Sequence, residues 1–339
     1  MIVNEFPNRK ISVNKEPYLY FGGTSYLGMA SNKKFQEHIF EGLKKWGTFY
    51  GSSRNANIKL AIYDKAESYF SNFLETEASL TISSGTLAGK MVIDYLSKST
   101  VKFFHYPKTH PAILHSNSLP LFLDGKINPL LRNNSSEDIV ITADAILALE
   151  TKPTSFDFLD EISPQKKITL VIDESHSLGI IGKHGNGFFS SIKSEKISQK
   201  ILISSLGKAI GLSGGIIAGD KYFIEKIRAE PIFISSSGAN PAYLEAFLKS
   251  DNLYKNQRKK LFNNLDFLER ILKPNNNFQF NKKYPVIYST SDVLHEKLLQ
   301  NNIIIARFRY PTYENFMNRI VITANHTKSD LEKLTNTIN

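Results

Sequence analysis

Ile201-Leu-Ile-Ser-Ser-Leu-Gly-Lys-Ala-Ile-Gly211 is a short apolar run that ends in two hydroxyl residues, a further leucine, a glycine and a single lysine, Lys208. The apolar part reads as a buried strand, and the lysine stands just past its carboxyl end. An amine in that position loses part of its solvation and with it part of its proton affinity. It becomes a nucleophile able to form a Schiff base with a carbonyl. A purely structural lysine after a strand has the same local pattern, so the surroundings decide.

Upstream, a second apolar run, Ile168-Thr-Leu-Val-Ile172, leads straight into Asp173-Glu-Ser-His176. A lysine for an aldehyde and a carboxylate for a pyridinium nitrogen are the two fixed protein contributions to pyridoxal phosphate chemistry. Further apolar runs predict strands at Ala78–Ile82, Val101–Phe104, Leu119–Leu123, Ile139–Ile141, Lys200–Ser204 and Gly215–Ala218. Helical periods fall at Thr86–Ser97, Phe156–Ile162 and Lys221–Ala229. Strands alternating with helices imply an α/β fold with a mostly parallel central sheet covered on both faces. Ligands of such sheets sit beyond the carboxyl ends of the strands, where Asp173 and Lys208 both fall.

The flanks differ in character. Residues 1–45 hold an extended start and an amphipathic helix, Lys33–Trp46. After residue 235, two helical stretches reach the turn cluster Pro274-Asn-Asn-Asn-Asn-Phe. There follow Val286–Ser289, a helix near Ser291–Gln300, Ile303–Arg307, Arg319–Thr323 and a capped final helix from Ser329. The expected division is residues 1–45 packing with a small α+β lobe of residues 236–339, and a large domain of residues 46–235 between them.

Composition narrows the function classes. There is no cysteine among 339 residues, which excludes disulfides and thiolate catalysis, and no metal site is expected. No run of 18 apolar residues is present, and Met1-Ile-Val-Asn-Glu-Phe-Pro7 lacks the basic and apolar regions of a leader, so a cytoplasmic protein is expected. The net charge of +10 is scattered over short lysine groups rather than gathered in a basic run with stacking aromatics. A lysine-rich surface that steers anionic small molecules is expected, with neither nucleic acid nor membrane as partner.

Ser83-Ser-Gly-Thr86 sits between a strand and a helix. Small residues let backbone N–H groups approach an anion there, and the helix N-terminus adds its dipole. Taken alone, the same turn is also an ordinary capped helix start. Ser204 and Ser205 can supply hydroxyls to the same phosphate, and His110 is a candidate to stack on a cofactor ring.

The order of these motifs resembles the fold-type I pyridoxal-phosphate enzymes of the class II aminotransferase superfamily, and within them the α-oxoamine synthase group. That group includes 8-amino-7-oxononanoate synthase and 2-amino-3-ketobutyrate CoA ligase. The likeness runs through Tyr26-Leu-Gly28, Gly51-Ser-Ser-Arg54, Thr76 to Gly85, His110, Ile172-Asp-Glu-Ser-His-Ser-Leu-Gly179 and Ser204 to Gly211. It continues in Ser213-Gly-Gly215, Ile305-Ala-Arg-Phe-Arg-Tyr-Pro311 and Arg319-Ile-Val-Ile-Thr-Ala-Asn-His-Thr327.

The resemblance implies pyridoxal 5'-phosphate bound through Lys208, which also shuttles the Cα proton. Asp173 would pair with the pyridine nitrogen, His176 with the phenolic oxygen, and His110 would stack on the ring. Ser84, Gly85, Thr86 and Ser205 would hold the phosphate. Ser236 falls where the group takes a phosphate contact from the neighbouring subunit, which implies a homodimer with a shared active site. Arg319 matches the arginine that grips the amino-acid carboxylate, and Ser25 stands where the group has an asparagine near the substrate.

The implied activity is transfer to a small α-amino acid, a decarboxylative or Claisen-type condensation with acyl-CoA or another acyl thioester. The sequence also departs from the group. Thr86 replaces an aromatic residue, and Asn186 replaces an arginine. In Thr142-Ala-Asp-Ala-Ile-Leu-Ala-Leu-Glu150, apolar Leu147-Ala-Leu149 stands where the group carries Glu-Ser-aromatic-Ser-Met-Asp-Gly. An aminotransferase with the same cofactor site, or a homologue that binds the cofactor without turnover, therefore stay as alternatives.

Overall fold

The computed structural model describes residues 1–273, 276–309 and 316–338. Pro274 and Asn275 of the turn cluster, and Tyr310 and Pro311 of the 305–311 motif, lie outside the described residues. A seven-stranded sheet runs in the spatial order Ala78–Ile82, Gly215–Gly219, Ile197–Ser205, Lys166–Asp173, Glu137–Asp144, Lys102–His105, Leu119–Pro120. Gly215–Gly219 is antiparallel to both neighbours, and the strand pairs from Ile197–Ser205 outward are parallel.

The apolar runs form these strands because both faces are covered. Val140, Val171, Ile201 and Ile203 point into one core, with Val92 and Ile227 from the helices Gly85–Leu96 and Lys221–Arg228. Their neighbours Ile141, Leu170, Ile172 and Leu202 point into the other, with Phe70 and Leu244 from the helices Ala61–Leu74 and Pro241–Leu248. Each such side chain taken fully out of water contributes roughly 1.5–3 kcal/mol.

A second, six-stranded sheet has the order Lys10–Val13, Glu16–Phe21, Ile303–Phe308, Met317–Val321, Tyr284–Ser289, Phe278–Asn281. The first two strands form a hairpin whose two-residue turn, Asn14-Lys15, has positive φ at both positions (53° and 70°), the backbone that matches strand twist. Glu16–Phe21 then pairs in parallel with Ile303–Phe308, so the chain start and the chain end share one sheet.

Several expectations are corrected. Phe156–Ile162 is not an α-helix but a single 3-10 turn, Asp157–Glu161. Pro164 has no N–H and disfavours helix at the residue before it, which stops the turn from extending, and the Lys196 ammonium caps the carbonyls of Leu159, Asp160 and Ile162 at its end. The expected strand Leu119–Leu123 divides: Leu119–Pro120 joins the sheet edge, while Phe122–Leu123 turns through Asp124-Gly125 into a small hairpin with Lys126–Ile127. The helix expected from Ser291 begins at Leu294, and the strand expected over Arg319–Thr323 is Met317–Val321. Thr323 leaves the strand because its N–H is taken by the His326 ring, 2.9 Å away.

Candidate active site

Three parallel strands of the large sheet end at one place. Asp144 closes Glu137–Asp144, Asp173 closes Lys166–Asp173, and Lys208 follows Ile197–Ser205 by three residues. Together with Ser84, Gly85, Thr86, His110, His176 and Ser205 they line a cavity of about 300 Å³. The structure thus brings eight of the sequence-predicted residues to one cavity at the carboxyl ends of the strands.

The turn after Ala78–Ile82 requires its small residues. A Cβ on Gly85 would stand 2.7 Å from the Ser205 Cα, so only glycine lets the helix start abut the lysine strand. Ser84 caps that helix, its hydroxyl accepting the Leu87 N–H at 3.1 Å. Gly85 and Thr86 occupy the first turn, where backbone N–H groups have no acceptor within the helix. Across the cleft, the Ser205 hydroxyl accepts the Gly207 N–H at 3.2 Å and its N–H donates to the Ser175 hydroxyl at 2.7 Å.

Burial sets the electrostatics. It lowers the proton affinity of the Lys208 amine, against the raising influence of Asp173 and Asp144. No hydrogen bond engages that amine among the described residues, so it stands ready for a carbonyl. Burial also holds His110 below the ordinary imidazole value, with Asp173 opposing and Lys208 reinforcing the shift. The His110 Nδ1 accepts the Ala112 N–H at 3.1 Å, which leaves its proton on Nε2. His176 lies well below the usual value through burial and then the Lys208 charge, so its imidazole is neutral. Its Nδ1 lies 2.9 Å from the Tyr26 hydroxyl, which in turn lies 3.3 Å from that of Tyr284.

The remaining expected residues lie apart from this cavity. Arg319 projects from Met317–Val321 in the small sheet, its guanidinium 4.9 Å from the Phe308 ring and 3.4 Å from the Gly23 carbonyl. Its buried Nε has no partner, a donor left for an anion. Ser25 lines a neighbouring pocket of about 250 Å³ that shares Gly207 with the first. Ser236 follows the short helix Pro231–Ser235 and donates to the Phe233 carbonyl at 3.2 Å, outside the cavity of its own chain.

Sequence reasoning missed four groups. Asp144 lay inside a segment read for its apolar character, and its strand-end position in register with Asp173 was the signal available. Tyr26, Tyr284 and Tyr288 form a buried hydroxyl cluster under the charge of Arg319. Tyr288 donates to the Ala148 carbonyl, so the apolar 147–149 segment is anchored through its backbone.

Residues 153–338 match the sequence profile of the family described as aminotransferase class I and II. The chain belongs to that family. Its cofactor is pyridoxal 5'-phosphate. Among curated proteins, this family member is 29% identical to the putative 8-amino-7-oxononanoate synthase of Methanococcus vannielii, covering 96% of this chain and 92% of that one. It is 26% identical to the 8-amino-7-oxononanoate synthase of Lysinibacillus sphaericus, covering 95% and 88%.

Among solved structures, it superposes on the serine palmitoyltransferase of Sphingomonas wittichii with a TM-score of 0.82 at 17% identity, covering 99% of this chain and 90% of that one. It superposes on the 8-amino-7-oxononanoate synthase of Francisella tularensis with a TM-score of 0.71 at 24% identity, covering 95% and 96%. These likenesses establish the fold-type I architecture, with a mostly parallel central sheet, helices on both faces and a small α+β lobe.

The residues present fit the cofactor. The cavity joins an unengaged, half-buried amine and a strand-end carboxylate to a glycine turn at a helix N-terminus, and it is large enough for a substituted pyridine ring. No helix among the described residues is long and apolar enough to cross a membrane.

Proposed function

We propose that this chain is an α-oxoamine synthase, a transferase that condenses a small α-amino acid with an acyl-CoA or other acyl thioester and releases carbon dioxide. The observation that carries the reading is the pairing of the Lys208 amine and the Asp173 carboxylate in one cavity, with Arg319 of the small sheet near enough for its charge to act on that amine. The curated relatives named as synthases support condensation over the aminotransferase alternative.

When bound, pyridoxal phosphate supplies an electron sink for the bonds at the substrate Cα. Everything else is the work of this chain's own residues. Lys208 would hold the aldehyde of the cofactor, and its amine would carry a proton at the substrate Cα, a task suited to its lowered proton affinity. Asp173 would keep the pyridine nitrogen protonated, neutral His176 would serve the phenolic oxygen, and His110 would pack against the ring. Gly85 and Thr86 offer backbone N–H groups to the phosphate, with hydroxyls from Ser84 and Ser205. Arg319 would grip the substrate carboxylate with two donors and so orient the amino acid. Ser25, in the pocket next to the cavity, would stand near the substrate.

In this reading residues 46–235 carry the cofactor, while residues 1–45 and 236–339 form the lobe that meets the substrate. Ser236 would reach the phosphate of a neighbouring subunit, making the protein a homodimer with a shared site. The reading places it in the cytoplasm, where acyl thioesters are supplied. The test is to follow the visible absorption of the cofactor-loaded protein on titration with amino acids, then thiol release on adding acyl thioesters. Binding of an amino acid followed by thiol release supports it; amino transfer to a 2-oxo acid without thiol release refutes it.

A further inference from the structure

The cavity contains two buried carboxyl groups where the proposed chemistry uses one. Glu137–Asp144 and Lys166–Asp173 are parallel neighbours, and their last residues are direct register partners, Asp144 opposite Asp173. Register partners on adjacent parallel strands project on the same face, with backbones about 4.8 Å apart. Both side chains line the cavity, and both are nearly sealed from water, with 3% and 7% exposure. Two carboxylates that close, away from water, do not both ionise.

We propose that Asp144 is a neutral carboxylic acid held beside the Asp173 carboxylate, and that it is a positioning residue for the cofactor ring. The surroundings decide which of the two keeps the proton. Asp144 is the more deeply buried, and of the pair Asp173 interacts more strongly with the Lys208 amine. Burial and then the Asp173 charge push the Asp144 carboxyl well above the usual range. The groups facing it are Asp173 on the adjacent strand, Lys208 from the loop after the lysine strand, and His110 from the loop after Lys102–His105.

The neutral acid has two uses. Its Oδ1 accepts the backbone N–H of His110 at 3.1 Å, which fixes the loop carrying the ring expected over the cofactor. A neutral neighbour also places no second negative charge beside Asp173, whose Oδ1 accepts the Ser175 N–H at 2.8 Å. Asp144 thus leaves Asp173 the single anion of the pair and fixes the loop that carries the His110 imidazole. This inference rests on reading the cavity as the cofactor site, but its first two tests use the cofactor-free protein.

Asp144→Asn keeps the shape and the acceptor for His110 and cannot ionise, whereas Asp144→Ala removes both. In cofactor-free wild type at pH 7, infrared difference spectroscopy against Asp144→Asn is expected to show a protonated-carboxyl stretch that belongs to Asp144. The stability comparison has a defined sign. A buried acid that binds its proton more tightly folded than unfolded makes the wild type lose stability as pH rises above the ordinary carboxylate value of about 4. Asparagine carries no such dependence, so Asp144→Asn gains on the wild type with rising pH and the difference closes on acidification. For pyridoxal phosphate affinity, Asp144→Asn is expected within about threefold of wild type, and Asp144→Ala weaker by about tenfold or more. A wild type without the carboxyl band, or an Asp144→Asn protein that loses cofactor as severely as Asp173→Asn, overturns the proposal. A wild type that shows the band but binds no pyridoxal phosphate overturns the cofactor reading of the cavity, and with it the positioning role.

Discussion

Two side chains at the residue scale divide the work so that single substitutions separate it. Lys208→Ala should abolish the visible band of the bound cofactor and lower turnover by about 10³-fold or more, as expected when a positioned proton carrier is lost. Arg319→Lys keeps a cation but loses the fork of donors. It should raise KM for the amino acid by roughly 10–100-fold, the value of a charge-assisted hydrogen bond, with a smaller effect on kcat. Steady-state kinetics that show unchanged KM would remove the carboxylate role. Lys208, Asp173, His176 and His110 were legible in the sequence because each lies within a few residues of a strand end, where local order fixes position. Asp144 needed the register between strands, which no single segment reveals. Tyr284 and Tyr288 enter from the small-lobe sheet, and only tertiary packing brings them to Tyr26 and Arg319.

Where an element carries its own start signal, sequence and structure agree. Helix Lys33–Trp46 has Asn32 at its cap, accepting the Phe35 N–H at 3.1 Å. The final helix carries a reciprocal cap: Thr327 N–H donates to Asp330 at 2.7 Å, and Asp330 N–H to the Thr327 hydroxyl at 3.3 Å. Helix Ala61–Leu74 follows Leu60, which supplies no side-chain cap, so its start carries no local signal. The 3-10 turn at Asp157–Glu161 ends against Pro164 and the distant Lys196, whose approach no local pattern reveals. Asp330 also binds Arg9 at 2.6 Å, and these partners hold its carboxyl below the usual value despite the opposing effect of burial. A depressed carboxylate contributes stability above its unfolded value of about 3.9, and that stability is lost as pH falls through the folded value. Asp330→Asn should therefore cost about 1–2 kcal/mol at pH 7 by urea denaturation, with the cost shrinking below about pH 4. An equal cost at pH 3 and pH 7 would remove the charge from the explanation.

Across the whole molecule, the residues that line the cavity belong to the large sheet and the turns at its strand ends, while Arg319 projects from the small sheet. The first strands join the small sheet beside Ile303–Phe308, so the chain start belongs structurally with the chain end. The proposed completion of the site by Ser236 of a second copy makes a sharper prediction than a dimer alone. Lys208→Ala and Ser236→Trp should each be weakly active by itself, and mixing them after subunit exchange should restore activity through heterodimers with one intact site. No recovery despite exchange would assign Ser236 a role within its own chain only. The central claim is that Lys208 works in a condensation, and it is tested most directly by product balance with a carboxyl-labelled amino acid and an acyl thioester. The account predicts labelled carbon dioxide and free thiol released one for one by the wild type, and neither by Lys208→Ala. Transfer of the amino group to a 2-oxo acid, with the label retained and no thiol released, would contradict it.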